Sequence, residues 1–169
     1  MEIVRATPAL ADTLSRIALD AKRHWQYPER WIEIWTPILT ITPEYVSANP
    51  TYVAVEDWNP VGFYALLLSK PEARAQLDHL WITPDWIGRG LGRALFEHAV
   101  STARELGASV LHIEAEPNAE PFYRHMGARR TGERRGQIED QPRVLPLMEL
   151  ELGALSPRPP APPASAASA

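Results

Sequence analysis

Apolar positions along the chain follow two different periods. Leu10, Leu14, Ile17 and Ala21 recur three or four residues apart, the spacing of one helical face. Thr7-Pro8 stands before them as a cap followed by a first-turn proline, so a helix is predicted from there to about Trp25. Pro28 opens a second predicted helix with Trp31, Ile34, Trp35 and Ile38 on one face, and Thr42-Pro43 begins a short connection. Residues 52–55 and 61–68 read as strands. Asp57-Trp58-Asn59-Pro60 between them is turn chemistry, which predicts a hairpin, and Lys70-Pro71-Glu72 ends it. Residues 77–83 predict a third strand, stopped by Pro84-Asp85.

The strongest helical pattern covers residues 90–106. Leu91, Leu95, Ala99 and Ala103 form an apolar ridge, joined by Phe96 and Val100, while Arg93, Glu97, Arg104 and Glu105 face away. Gly107 sits where a left-handed C-terminal cap belongs. A strand over 109–115, a short helix over 118–126 stopped by Gly127, and a final strand over 144–152 follow. Helix, helix, hairpin, strand, helix, strand, helix, strand implies an α/β (or α+β) domain with a mixed sheet. One strand–helix–strand crossover is expected over residues 77–115. The chain shows no internal repeat. From Ala154 the composition is Pro, Ala and Ser with almost nothing to bury, which predicts one domain over 1–153 and a disordered tail over 154–169.

Composition removes several classes of function. A chain of 169 residues, 45% hydrophobic and 22% charged, fits one globular domain. Its longest apolar run, 63–68, is too short to span a bilayer, and its first residues lack a signal-peptide pattern, so a cytoplasmic protein without a membrane partner is expected. There is no cysteine, which excludes disulfides, thiolate–metal sites and a cysteine acyl intermediate. The five histidines lack metalloprotease spacing, so no metal is expected. A net charge of −4 makes nucleic acid a poor partner.

The segment Ile87-Gly88-Arg89-Gly90-Leu91-Gly92-Arg93 joins the third strand to the strongest helix. Its alternate glycines let backbone approach a ligand without Cβ obstruction. The helix start behind them offers free N–H groups and a partial positive charge, together an anion site suited to phosphate. Arg89 and Arg93 add positive charge. A Walker loop would need a Gly-Lys-Ser/Thr ending, which is absent. A dinucleotide loop would need a third glycine where Arg93 or Leu95 stands, which argues against a nucleotide-dependent oxidoreductase.

The loop resembles motif A of the GNAT acetyltransferases, written Gln/Arg-x-x-Gly-x-Gly/Ala, with Ile87 in place of the usual Gln or Arg. After the next strand, Glu116-Pro117-Asn118-Ala119-Glu120-Pro121-Phe122-Tyr123-Arg124-His125-Met126-Gly127, with its Asn-x-x-x-Phe-Tyr-x-x-x-Gly arrangement, resembles the family's motif B. Two motifs in this order and spacing identify the chain as similar to GNAT proteins over residues 3–152.

The resemblance implies the GNAT acyl-CoA N-acyltransferase fold: a mixed, mostly antiparallel sheet of six to seven strands, about four helices, and a V-shaped splay between the strands at 77–83 and 109–115. It implies acetyl-CoA as cosubstrate, its pyrophosphate on the backbone from Ile87 to Arg93 and its pantetheine beside Leu80, Ile82 and Asn118. It further implies direct transfer to an amine of a small molecule or peptide N-terminus; homodimers occur in the family. A catalytically silent acyl-CoA-binding module is the alternative. Tyr123 matches the position that often protonates the leaving sulfur, and it also forms an aromatic packing pair with Phe122. Asn118 suits either pantetheine or a helix cap. For the base, Asp78 shares a strand face with Leu80 and Ile82, whereas His79 and Trp81 share the other. His79 has the better ordinary pKa, Glu114 is a third option, and a water chain is a fourth. Trp25 and Tyr27, at the turn between the first two helices, are acceptor candidates. Arg129, Arg130, Arg134 and Arg135 suit either the coenzyme's 3′-phosphate or a solvated edge.

Overall fold

The computed structural model describes residues 1–153; the predicted tail at 154–169 lies outside the described residues. One sheet holds seven strands in the order β1-β2-β3-β4-β5-β7-β6. They are β1 (Glu2–Arg5), β2 (Thr51–Glu56), β3 (Asn59–Ser69), β4 (Arg74–Ile82), β5 (Val110–Glu114), β6 (Arg129–Ile138) and β7 (Gln141–Glu151). Five α-helices accompany them among the described residues: α1 (Ala11–His24), α2 (Glu29–Leu39), α3 (Pro43–Ala48), α4 (Leu91–Glu105) and α5 (Glu120–His125). Neighbouring strands are antiparallel except β4 and β5, which run parallel through the α4 crossover.

Two apolar layers cover the sheet. Leu91, Leu95, Phe96, Ala99 and Ala103 of α4 pack on one face with Tyr64, Leu77, Leu111 and Tyr123. Leu14, Ile17, Ile32, Trp35 and Val46 of α1–α3 pack on the other with Val53 and Phe63. Consecutive Phe63 and Tyr64 thus serve opposite layers, as alternation along a strand requires.

Two features of β4 shape the site. Its parallel pairing with β5 runs only from Arg74↔Val110 to Leu77↔Ile113, after which the strands part in the expected V. At that point β4 carries a bulge: Ala65 faces His79 while Leu66 faces Leu77, leaving Asp78 as the extra residue. Before the bulge the odd positions Ala75 and Leu77 enter the α4 layer; after it the even positions Leu80 and Ile82 do. Trp81 packs on the opposite layer.

Several expectations are corrected. The first predicted helix divides into a 3₁₀ turn, Pro8–Leu10, and α1, and the Thr7 side chain makes no capping bond. On α2 the buried residues are Ile32, Trp35 and Leu39, while Ile34 and Ile38 are exposed, so the expected face is rotated. Thr42-Pro43 starts a helix instead of a connection, with Thr42 Oγ1 accepting from Tyr45 N–H at 3.1 Å. Asn118 lies within a 3₁₀ turn, Pro117–Ala119, and caps nothing. Strands β1 and β6 were not predicted. The four β6 arginines hold carboxylates along an exposed edge: Arg129 meets Glu151, Arg130 meets Glu120 and Glu133, Arg134 meets Glu114, and Arg135 meets Glu133.

The β6–β7 hairpin reaches beyond β5 to the N-terminal helices. Ile138 at its tip is buried in the α1–α3 layer. The adjacent Glu139 accepts from Arg30 Nε at 2.7 Å and Trp31 Nε1 at 2.8 Å.

Candidate active site

The splay between β4 and β5 opens into a cavity of about 480 Å³. One end is the glycine loop. Gly88 and Gly90 have φ of +79° and +83°, a left-handed backbone that glycine adopts without strain. The first α4 backbone bond is Ala94 N–H to Gly90 C=O at 3.1 Å, which leaves the N–H groups of Leu91, Gly92 and Arg93 without helical partners. Ile87, Gly88, Gly90, Gly92 and Arg93 border the cavity here. A Cβ on Gly92 would come within 3.2 Å of Ile82 Cδ1, so glycine also keeps this corner open. The arrangement fits an anion held by backbone donors beside a helix start.

Not every side chain of the loop joins it. The Leu91 side chain, at the start of α4, is buried against the sheet, so this residue contributes backbone alone. Arg89 stacks 5.4 Å from the Trp86 ring, and Arg93 donates to Glu97 at 2.8 Å. Ile87 is exposed at the rim.

Leu80 and Ile82 form one wall along the middle of the cavity; Asn118, Phe122 and Tyr123 form the other. Tyr123 is buried against Phe122 and Phe96, with ring centroids 5.1 and 5.7 Å away. Its hydroxyl is not among the atoms sealed from solvent without a partner. Burial pushes the phenol pKa up, so Tyr123 keeps its proton at neutral pH.

The far end holds Asp78, Trp81, Trp25, Glu114 and Glu116. Strict alternation would have placed Asp78 with Leu80 and Ile82. Because of the bulge, its carboxylate instead accepts from Tyr45 Oη at 2.6 Å and lies 3.4 Å from His79 Nε2, while still bordering the cavity. His79 is buried behind it and does not border the cavity. Glu114 is paired with Arg134.

Glu116, the first residue of the segment that resembles motif B and one to which the motif assigns no role, also borders the site. It accepts from Lys22 Nζ, from Tyr27 Oη and, at 2.9 Å, from Arg143. The two cations lie over the Trp35 ring, Lys22 at 4.0 Å and Arg143 at 4.6 Å. Asn118 donates to Tyr27 Oη at 3.2 Å. Tyr27 therefore supports the wall through Glu116 instead of bordering the cavity. Burial opposes ionisation of Glu116, but Lys22, Tyr27 and Arg143 outweigh it and hold the pKa below 4.5. This cluster ties α1 and β7 to the segment after β5. Among the described residues no cluster of His, Asp and Glu suits a metal.

The model of the acetyltransferase (GNAT) family matches residues 12–128. The chain belongs to the GNAT family. It is 33% identical over 151 residues to the peptidyl-lysine N-acetyltransferase YjaB of Escherichia coli, covering 79% of this chain and 95% of that one. Among solved structures it resembles the ribosomal-protein-S18-alanine N-acetyltransferase of Escherichia coli, with TM-score 0.70, 17% identity, and coverage of 92% and 96%. It also resembles the PaiA N-acetyltransferase of Thermoplasma acidophilum in complex with coenzyme A, with TM-score 0.67, 17% identity, and coverage of 89% and 98%. Both structural likenesses bear on the fold, a seven-stranded mixed sheet with helices on both faces. The protein is an acetyltransferase of this GNAT family, as the glycine loop and the Asn118–Gly127 motif imply.

Proposed function

We propose that this GNAT protein transfers the acetyl group of acetyl-CoA to a primary amine of a small molecule or peptide, by direct attack in a ternary complex. The observation carrying this reading is the continuity of the cavity: from the free N–H groups of α4, past Leu80, Ile82 and Tyr123, to Asp78. The name of the E. coli relative adds the lysine side chain to the peptide N-terminus as an acceptor class.

Bound acetyl-CoA would supply an activated thioester. The backbone from Ile87 to Arg93 holds its pyrophosphate, each charge-assisted hydrogen bond contributing about 1.5–3 kcal/mol. Asn118 and the parted edge of β4 at Leu80 and Ile82 border the pantetheine. Asp78 takes the proton of the attacking amine, and Tyr123, kept protonated by burial, gives one to the departing sulfur. Trp25, 40% exposed at the cavity rim, and Glu114 border the incoming amine.

Saturating acetyl-CoA is expected to raise the melting temperature, and a primary amine is expected to trigger thiol release. Stabilisation without thiol release across a broad amine panel would instead indicate an acyl-CoA-binding module; no stabilisation at large excess would overturn both.

A further inference from the structure

We propose that His79 is a positioning residue for acetyl transfer: Trp81 fixes its tautomer, and its Nε2–H side holds the Asp78 carboxylate so that one oxygen is left for the amine. The proposal rests on Asp78 as base.

Trp81 Nε1 lies 3.1 Å from His79 Nδ1 and donates to it. Indole nitrogen is a donor only, so Nδ1 carries no proton and the single proton of the neutral ring sits on Nε2. That nitrogen lies 3.4 Å from Asp78 Oδ2, the same oxygen that accepts from Tyr45 at 2.6 Å. The hydrogen bond from Tyr45 and a weaker charge–dipole contact from His79 thus both fall on Oδ2. Consecutive strand residues ordinarily point to opposite faces; the bulge at Asp78 brings these two side chains together. The ring is held by packing as well: it meets Tyr45 edge-on, centroids 5.5 Å apart, and lies 5.9 Å from Phe63. Burial also lowers the His79 pKa, against the opposing pull of Asp78, consistent with a neutral ring.

The arrangement removes His79 from the list of bases, since its basic nitrogen is engaged by Trp81. It also distinguishes Asp78 from the other carboxylates on the cavity wall. Glu114, from β5, is held by Arg134, and Glu116, from the segment after β5, is held by Lys22 and Arg143. Tyr123, from α5, is the remaining titratable group on that wall named in the reaction.

Long-range ¹⁵N–¹H NMR on the full-length protein reads the tautomer without any substitution. The Nε2–H form of His79 is expected at neutral pH; an Nδ1–H form or an imidazolium would overturn the proposal. Kinetics give a second reading. H79F is expected to lower kcat on the order of tenfold or more while leaving acetyl-CoA affinity unchanged. H79Q, which returns an N–H donor toward Asp78, is expected to regain most of the loss. Wild-type kcat in H79F alongside an inactive D78N would overturn the positioning role alone, and H79Q no better than H79F would do the same. Wild-type kcat in D78N would overturn the base assignment and the proposal with it.

Discussion

Tyr45 Oη donates to Asp78 Oδ2 at 2.6 Å, tying α3 to the bulged residue at which β4 leaves β5. The contact orients the carboxylate from a helix that is itself capped by Thr42. Y45F leaves Oδ2 without this donor, a loss of about 1–3 kcal/mol. The expected outcome is a lower melting temperature and a kcat reduced several-fold, with acetyl-CoA affinity retained. Thermal melts and steady-state kinetics on one preparation check it.

Tyr123 provides the complementary test at the other wall. Y123F keeps the aromatic packing and removes the proton. Turnover is expected to fall about 10²-fold or more, with binding intact. Because burial raises the Tyr123 pKa, the alkaline limb of the wild-type pH–rate profile should not fall at the ordinary phenol pKa of 10 on account of this residue. Unchanged turnover in Y123F, with chemistry rate-limiting, would reduce Tyr123 to packing.

Glu116 links stability to pH. Its folded pKa lies below the ordinary 4.5, so its contribution is fully present above that value and lost as pH falls through the folded value. E116Q leaves Lys22 and Arg143 buried without their counter-charge; because burial already lowers the Lys22 pKa, that lysine can shed its proton, and the loss at neutral pH is at most about 3–5 kcal/mol. The difference in melting temperature between wild type and E116Q should therefore narrow as pH is lowered through the acid range. A constant difference would contradict the ion pairing.

At the glycine loop, G90A places a Cβ on a left-handed backbone at a cost of about 1–2 kcal/mol. Open space surrounds that Cβ, so the fold should survive. Weaker acetyl-CoA binding, read by isothermal titration, is the expected result, with acceptor specificity unaffected.

Elements with local signals were legible in the sequence. The α4 ridge, its glycine caps and the β2–β3 hairpin needed only neighbouring residues. The hairpin turn is tighter than the four residues expected: Asp57 and Trp58 make it with positive φ, and Asn59 and Pro60 already belong to β3. Strand β6 was not legible because nine of its ten residues are not buried, so no apolar alternation marks it. Strand β1 is four residues at the chain start, too short for a period. The candidate site divides in the same way. The glycine loop and the Asn118–Tyr123 wall are contiguous motifs. Glu116 acquires its role from Lys22, Tyr27 and Arg143, which stand 94, 89 and 27 residues away. The bulge that turns Asp78 toward Tyr45 is a property of pairing with β3, which strand periodicity does not encode.

The central claim is acetyl transfer through this cavity, and thiol release from acetyl-CoA tests it most directly. Wild-type protein is mixed with saturating acetyl-CoA and a panel of primary amines that includes lysine-containing peptides, with tertiary amines as controls. The expected result is thiol release that depends on a primary amine and matches, mole for mole, acetylated amine detected by mass spectrometry. Acetyl-CoA bound by the protein, with no amine-dependent release across the panel, would contradict it.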